Sequence, residues 1–552
     1  MSGATFRPSD AVDFLVIGAG SAGGVMAKEL STAGFRVVVL EQGPYLTEKD
    51  YKHDEIGYTY QAGLTNDTKL QPVTYRKSEA EQAKPIKAIM YGRQVGGGSV
   101  HFTANYWRFH ESDFEERSVF GNVPGAALAD WPIKYADLEP YYTKAEYDLG
   151  ISGLGGANPF EGPRSKPYPL PPMPVKSSGV LFDRGAKKLG LHPYPAPMAI
   201  LSQPYQGRSA CVHCGFCEYF GCEMRAKSST LVSVIPIAEK TGRCEIRPNS
   251  YVRKIETDAH GRATGAVYFD ANRREIFQKT KAVVLCSNGA ETARLLLMSK
   301  SKRFPQGLAN SSGLVGKYLM WDNGAEALGL FEQPLNEYKS IVVTRVLHDY
   351  YRADPKRGFY GGAGLDARFD FYPANFALRG MPGDAPKWGA EYKKMLATYY
   401  THSMAVLAHT SSLAQEKNSI SLDPNLKDRW GLPAMRVTFD FHPDDVKTMK
   451  WSLTKQVELL EAAGAKKTWT SSIAMEDQMP STHLMGTCRM GNDPKLSVVD
   501  RNNRAHDIPN LLIADGSSLV TSGRQQPTAT IQALAYRAAD YAAQAAKRGE
   551  LG

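Results

Sequence analysis

Four cysteines, Cys211, Cys214, Cys217 and Cys222, crowd into the run CVHCGFCEYFGC, in a chain that holds seven in all. Thiolates two residues apart can turn onto one side of a loop, and C-x2-C-x2-C is the familiar opening run of iron–sulfur sites. The spacing therefore predicts, as its first reading, a cage for an iron–sulfur cluster. Zinc comes second, because zinc sites more often set two C-x2-C knuckles apart in sequence. Disulfides or free thiols remain open beside it, with no less weight than zinc. His213, inside the run, is a candidate to replace one thiolate. Cys244, Cys286 and Cys488 sit in apolar or turn-like surroundings and read as buried thiols without a role.

A second pattern lies near the start, in AVDFLVIGAGSAGGVMAKELSTAGFRVVVLEQG. An apolar strand leads into Gly18-x-Gly20-x-x-Gly23, a helical stretch follows, and a second apolar strand ends at Glu41. Gly18 permits the tight turn, Gly20 lets backbone approach a pyrophosphate, and Gly23 allows close packing of helix on strand. Glu41 is placed to accept a hydrogen bond from an adenosine ribose. This is a complete dinucleotide-binding unit, and the residues alone do not separate FAD from NAD.

The elements that must position these groups come from a chain of 552 residues, 42% hydrophobic and 22% charged, enough for two or three domains. The net charge of +9 is spread without a basic run, which argues against nucleic acid as a partner. No apolar run approaches the roughly 18–20 residues that span a bilayer. The start, MSGATFRPSDAVDF, has neither an apolar export core nor a twin-arginine pair, so the expected location is cytoplasmic, or periplasmic by co-export with a partner. Any membrane contact would run through partners.

Residues 42–90 and the Pro/Gly-rich 150–210 read as long ordered loops that cover a site. From about 243 the chain alternates apolar and polar residues, as strands do, before ETARLLLMSK opens a helix. Residues 320–475 mix aromatic-rich strands with the helical DDVKTMKWSLTKQVELLEAAG, which predicts a second, mostly antiparallel domain. NLLIADG and the alanine-rich ATIQALAYRAADYAAQAAKR return to strand and helix.

GRQVGGGSVHFTANYWR at 92–108, NGAETARLLL at 288–297, HLMGTCRMG at 483–491 and the segment from SVVDRNNRAHDIPNLLIADG to the C-terminal helix resemble the glucose–methanol–choline (GMC) oxidoreductases. The resemblance implies an α/β fold, with an FAD-binding Rossmann-like (GMC-type) domain and a second, mostly antiparallel α+β substrate domain. The implied boundaries are 1–320 for the FAD domain, with an insertion at 150–230 that carries the cysteines. The substrate domain spans 321–480, and 481–552 returns to the FAD domain.

The resemblance also implies which residues hold FAD. Gly18, Gly20, Gly23 and Glu41 would hold its ADP half, with Val252 also on the cofactor. Gly96, Gly97, Gly98 and Ser99 would approach the isoalloxazine, and Asp515 would sit by the ribityl-pyrophosphate. His101 matches the histidine through which some members tether the flavin covalently; the alternative is a hydrogen bond within a packed loop. His483 matches the catalytic base, a role that suits an imidazole because the residue type titrates near neutral pH. Gln526 stands where the family usually has His or Asn, and is read as orienting the substrate. His110, His402 and His409 are given no base role.

CVHCGFCEYFGCEMRAKSS is similar to the flavoprotein subunits of the gluconate 2-dehydrogenase and glucoside 3-dehydrogenase type. The expectation is an FAD-dependent dehydrogenase oxidising an alcohol of a sugar, sugar acid or glycoside. Electrons would leave through a [3Fe–4S] or [4Fe–4S] cluster to a cytochrome c subunit, with a small exported subunit as third component. The rival reading is an oxygen-using oxidase of sugar or aromatic alcohols whose cysteine run binds zinc or is only structural.

Overall fold

In a computed structural model of the chain, residues 5–61, 63–321 and 323–551 are described. Apart from Asp13, Val12–Ile17 is apolar and buried on both faces, the pattern of a central strand in a parallel sheet. It pairs in parallel with Val37–Leu40 and with the second half of the long strand Glu275–Leu285. Cys244–Arg247 extends the sheet beyond Val37–Leu40. On the other side, Leu511–Ile513 pairs in parallel with Val283–Leu285, so the C-terminal segment closes the same sheet that the N-terminus opens. The first half of Glu275–Leu285 carries an antiparallel arm, Ala263–Phe269 and Tyr251–Thr257. Helices Ser21–Thr32 and Thr528–Lys547 pack on each other, and the buried alanines of the second let the two approach closely.

A six-stranded antiparallel sheet forms the second layer system, in the order Lys467–Thr470, Asn323–Leu330, Ser403–Thr410, Ala363–Arg368, Arg345–Leu347, Tyr194–Pro195. Helix Pro443–Ala463 covers it, and its Leu459, Leu460 and Ala463 share one apolar cluster with Leu347, Leu365 and Val406. The expected antiparallel region is therefore present.

The two cover segments carry more regular structure than their sequence suggests. Val73–Arg76 and Lys84–Pro85 join Ser419–Lys427 and Pro433–Thr438 in a third, small sheet. Ser177–Lys188 is a helix packed against Pro443–Ala463. These strands are short and exist through pairing with distant residues, a preference that local sequence does not encode. Among the described residues, no helix is long and apolar enough to cross a membrane.

Candidate active site

A cavity of about 360 Å³ runs between the two large sheets, with Gly18, Gly20 and Glu41 at one end and His483, Gln526 and His409 at the other. At the nucleotide end each glycine has its own reason. A Cβ on Gly18, whose φ is +96°, would sit 2.5 Å from the Cys286 carbonyl oxygen, and one on Gly23 only 1.8 Å from the Gly18 carbonyl oxygen. A Cβ on Gly20 would meet nothing nearer than Gly97 Cα at 3.8 Å. Gly23 thus serves packing and does not line the cavity, whereas Gly20 keeps the cavity wall open. Glu41 accepts the Ala19 N–H on Oε2 and the Gly43 N–H on Oε1, both at 2.9 Å. Burial pushes its carboxyl up to about 7, against the pull of those two donors and of Arg93.

The glycine loop turns through a short 3-10 segment, Gly97–Val100. Gly97, Gly98, Ser99 and His101 line the cavity, as does Val252. Gly96 does not: it sits behind the loop, where its N–H donates to the Ala19 carbonyl at 2.9 Å. Ser99 Oγ closes the turn on the Gly96 carbonyl at 2.6 Å. His101 is buried and its Nε2 has no protein partner. Burial, and then the charge of Lys227, lower its pKa to about 3, so its imidazole is neutral at any working pH. Asp515 ties two segments together, accepting from Asn288 N at 3.1 Å and Thr292 Oγ1 at 2.5 Å on Oδ2, and from Ser517 on Oδ1.

At the His483 end the second sheet contributes side chains that the sequence alone did not single out. Ala363–Arg368 is buried along its whole length, yet it carries Asp366 and Arg368 two residues apart on one face. Arg368 clamps Asp366 with Nε on Oδ1 and Nη2 on Oδ2, each at 2.6 Å. Burial works against the Asp366 charge, but this pairing holds its carboxyl below the ordinary value. His409 projects from the neighbouring strand with its ring centroid 6.5 Å from that of His483. Its Nε2 lies 2.6 Å from Gln526 Nε2, 3.1 Å from Arg368 Nη2 and 3.2 Å from Asp366 Oδ2. His409, given no base role from the sequence, is thus brought to the cavity wall beside His483 and Gln526. The available signal was a charged pair, Asp-x-Arg, inside an otherwise apolar strand.

The cysteine run departs from expectation. Among the described residues, no three His, Cys, Asp or Glu side chains are arranged to hold a metal ion, and all seven cysteines are free thiols. The loop folds with His213 at φ +56° and Gly215 at φ +91°, and it splits the thiols between environments. Cys217 is buried, Cys211 and Cys222 are half-buried, and Cys214 is exposed. Burial pushes Cys211 up to about 11 and Cys217 to about 12, which keeps both protonated. His213, whose Nδ1 pairs with Ser340 Oγ at 2.6 Å, is likewise not gathered with the thiols into a ligand set among the described residues. The run gathers four thiols in one loop without converging them into the expected cage, and an iron–sulfur cluster does not fit them as they stand.

Residues 12–320 and 414–535 match the two family models described as GMC oxidoreductase. The chain is 34% identical to 2-methyl-1,2-propanediol dehydrogenase of Mycolicibacterium austroafricanum, over 97% of this chain and 95% of that protein. It is 30% identical to the gluconate 2-dehydrogenase flavoprotein of Pantoea cypripedii, over 95% and 92%. The fold is similar to that of a formate oxidase from Aspergillus oryzae RIB40, solved in a variant made to study FAD modification. That likeness has a TM-score of 0.69 at 15% identity and covers 99% of this chain and 100% of the other. FAD fits the cavity on its chemistry: a buried carboxylate at Glu41 for ribose hydroxyls, an open glycine wall at Gly20 for phosphate, and an unpartnered imidazole nitrogen at His101.

Proposed function

Because the chain belongs to the GMC oxidoreductase family, we propose that it is an FAD-dependent dehydrogenase oxidising an alcohol of a sugar, sugar acid or glycoside. One observation carries the reading: His483 and Gln526 line the same cavity as Gly20, Gly97 and Glu41, so base and cofactor cradle share one space. FAD supplies the hydride acceptor, its N5. His483 takes the hydroxyl proton as the carbinol C–H bond breaks, which is the proton transfer a positioned imidazole performs well. Gln526 holds the substrate, and the walls contributed by both sheets exclude water. His101 is the proposed attachment point of the flavin, supported by its neutral ring and unpartnered Nε2. Gly18, Val252 and Asp515 line the cofactor's length, while Gly23 and Gly96 shape its cradle from behind.

Electrons then pass to an external acceptor, for which we propose a cytochrome c subunit in a complex with a small exported subunit. The support is the relative named as a flavoprotein of gluconate 2-dehydrogenase. The cysteine run carries no step of this reading.

Anaerobic mixing with sugars, sugar acids, glycosides and aromatic alcohols tests it. The flavin spectrum should bleach with members of the first three classes, and turnover should require a dye. Rapid peroxide formation with oxygen as sole acceptor would overturn the dehydrogenase assignment in favour of an oxidase. Acid precipitation should leave the flavin bound to protein, and free FAD in the supernatant would remove the tether.

A further inference from the structure

The Gln526 amide has two ends of opposite hydrogen-bonding character. Its Nε2 lies 2.6 Å from His409 Nε2, while its Oε1 is buried without a protein partner on a residue that lines the cavity. Arg368 Nη2 reaches the same ring nitrogen at 3.1 Å. With the Gln526 amide N–H and the Arg368 guanidinium both directed at it, this ring nitrogen is assigned the lone pair, with the His409 proton on Nδ1. Asp366 Oδ2 lies 3.2 Å from that nitrogen and accepts the shorter, charge-assisted bond from Arg368 Nη2 at 2.6 Å. His409 therefore fixes which end of the amide meets the ring and which end is left for a ligand.

We infer that His409 is a positioning residue that presents the Gln526 amide oxygen to a second hydroxyl of the substrate, beside the carbinol deprotonated by His483, so that the site selects vicinal diols over simple alcohols. The inference rests on the alcohol-oxidising reading above. A simple alcohol has one hydroxyl proton and gives it to His483, so Oε1 stays buried and unpaired once the ligand has displaced water. A vicinal diol brings a second O–H that fills this acceptor. An unpaired buried acceptor is costly enough to separate the two substrates by about tenfold or more. The clamp of Arg368 on Asp366 holds the arrangement rigid from behind, because neither group can turn without breaking the pair.

Anaerobic stopped-flow reduction of the holoenzyme with a vicinal diol and its matched mono-alcohol provides the test. The wild-type ratio of kcat/KM should favour the diol by about tenfold or more. In Gln526→Leu, which keeps the volume but has no amide, that ratio should collapse toward one through loss with the diol. His409→Phe frees the amide to present either end and should do the same. His409→Gln, whose side-chain oxygen can accept from the Gln526 amide, should restore part of the preference, which a merely structural histidine would not show. A wild-type ratio near one, or a ratio unchanged in Gln526→Leu, overturns the inference, and Gln526→Leu decides the matter if His409→Phe fails to fold. Failure of the underlying reading looks different: no alcohol of either kind would bleach the wild-type flavin.

Discussion

The backbone N–H of Tyr219 donates to the carbonyl oxygen of His101 at 2.8 Å, so the cysteine run hangs directly on the glycine loop of the cofactor cavity. Lys227 reinforces this joint from below. Its buried ammonium donates to Phe102 O at 3.1 Å, to Phe220 O at 2.8 Å and to Cys217 O. Replacing Lys227 by Met keeps the stem but leaves three buried carbonyls unpaired, at a cost of about 2 kcal/mol or more. Lys227→Met should therefore lower the thermal midpoint and loosen the loop around His101. Differential scanning calorimetry alongside the flavin absorption spectrum checks both effects. A variant with wild-type stability and spectrum would show that the joint is held by the Tyr219 bond alone.

Gly20 and Gly23 should respond differently to the same small change. Gly23→Ala drives a Cβ into the Gly18 carbonyl, 1.8 Å away, so strand and helix must separate. Overpacking of this kind costs about 1–3 kcal/mol or more, and the variant should be poorly folded with or without cofactor. Gly20→Ala meets only Gly97 Cα at 3.8 Å and should fold normally, yet its methyl group stands in the cavity where the pyrophosphate belongs. Flavin content per folded protein, measured beside thermal unfolding of both variants, separates the two roles.

Glu41 gives the cofactor site a pH dependence whose sign can be stated. Burial raises its folded pKa to about 7, above the ordinary carboxylate value, so the protonated form is favoured by folding. Its contribution to the stability of the cofactor-free protein is present at low pH and is lost as pH rises through about 7. If Glu41 holds the ribose as proposed, the hydroxyls bond more strongly to its ionised form, so binding would release a proton. In a His101→Ala background, which removes the proposed attachment point, FAD affinity should rise between about pH 6 and about pH 8 and then level off. Fluorescence titration of FAD across that range checks it, and Glu41→Gln should abolish the slope.

The parts of the site legible in the sequence are those whose chemistry is local. Gly18, Gly20, Gly23 and Glu41 belong to one unbroken strand–helix–strand unit, and each spacing has a steric or hydrogen-bonding reason within that unit. His483 and Gln526 were marked by family motifs and do line the cavity, but such motifs do not say what faces a residue. What faces Gln526 depends on the register that sets Gly364 opposite His409 in the second sheet, a pairing between residues far apart in the chain. No local pattern dictates that register, so His409 read as one more strand residue in YYTHSMAVLAH. The cysteine run failed for the opposite reason. Its spacing shows which thiols share a loop, but their convergence is decided by the turns at His213 and Gly215 and by what Cys217 packs against.

His483 can be tested without unfolding its surroundings, because the segment that follows it is pinned by backbone. Gly316 N donates to Thr487 O at 2.7 Å, Cys488 N to Ser517 O at 2.8 Å and Met490 N to Ser518 O at 3.0 Å. None of these bonds uses the imidazole. His483→Ala should keep its flavin and its thermal midpoint while alcohol oxidation falls by on the order of 10²–10⁴. The surviving rate should climb with pH, since the hydroxyl proton must then leave to solvent base instead of a positioned imidazole. His409→Phe should behave otherwise, changing the choice between substrates more than the rate with a simple alcohol. Near-normal oxidation by His483→Ala, measured as anaerobic flavin bleaching, would take the base role away from His483 and leave His409, the other imidazole at this end of the cavity, to carry it.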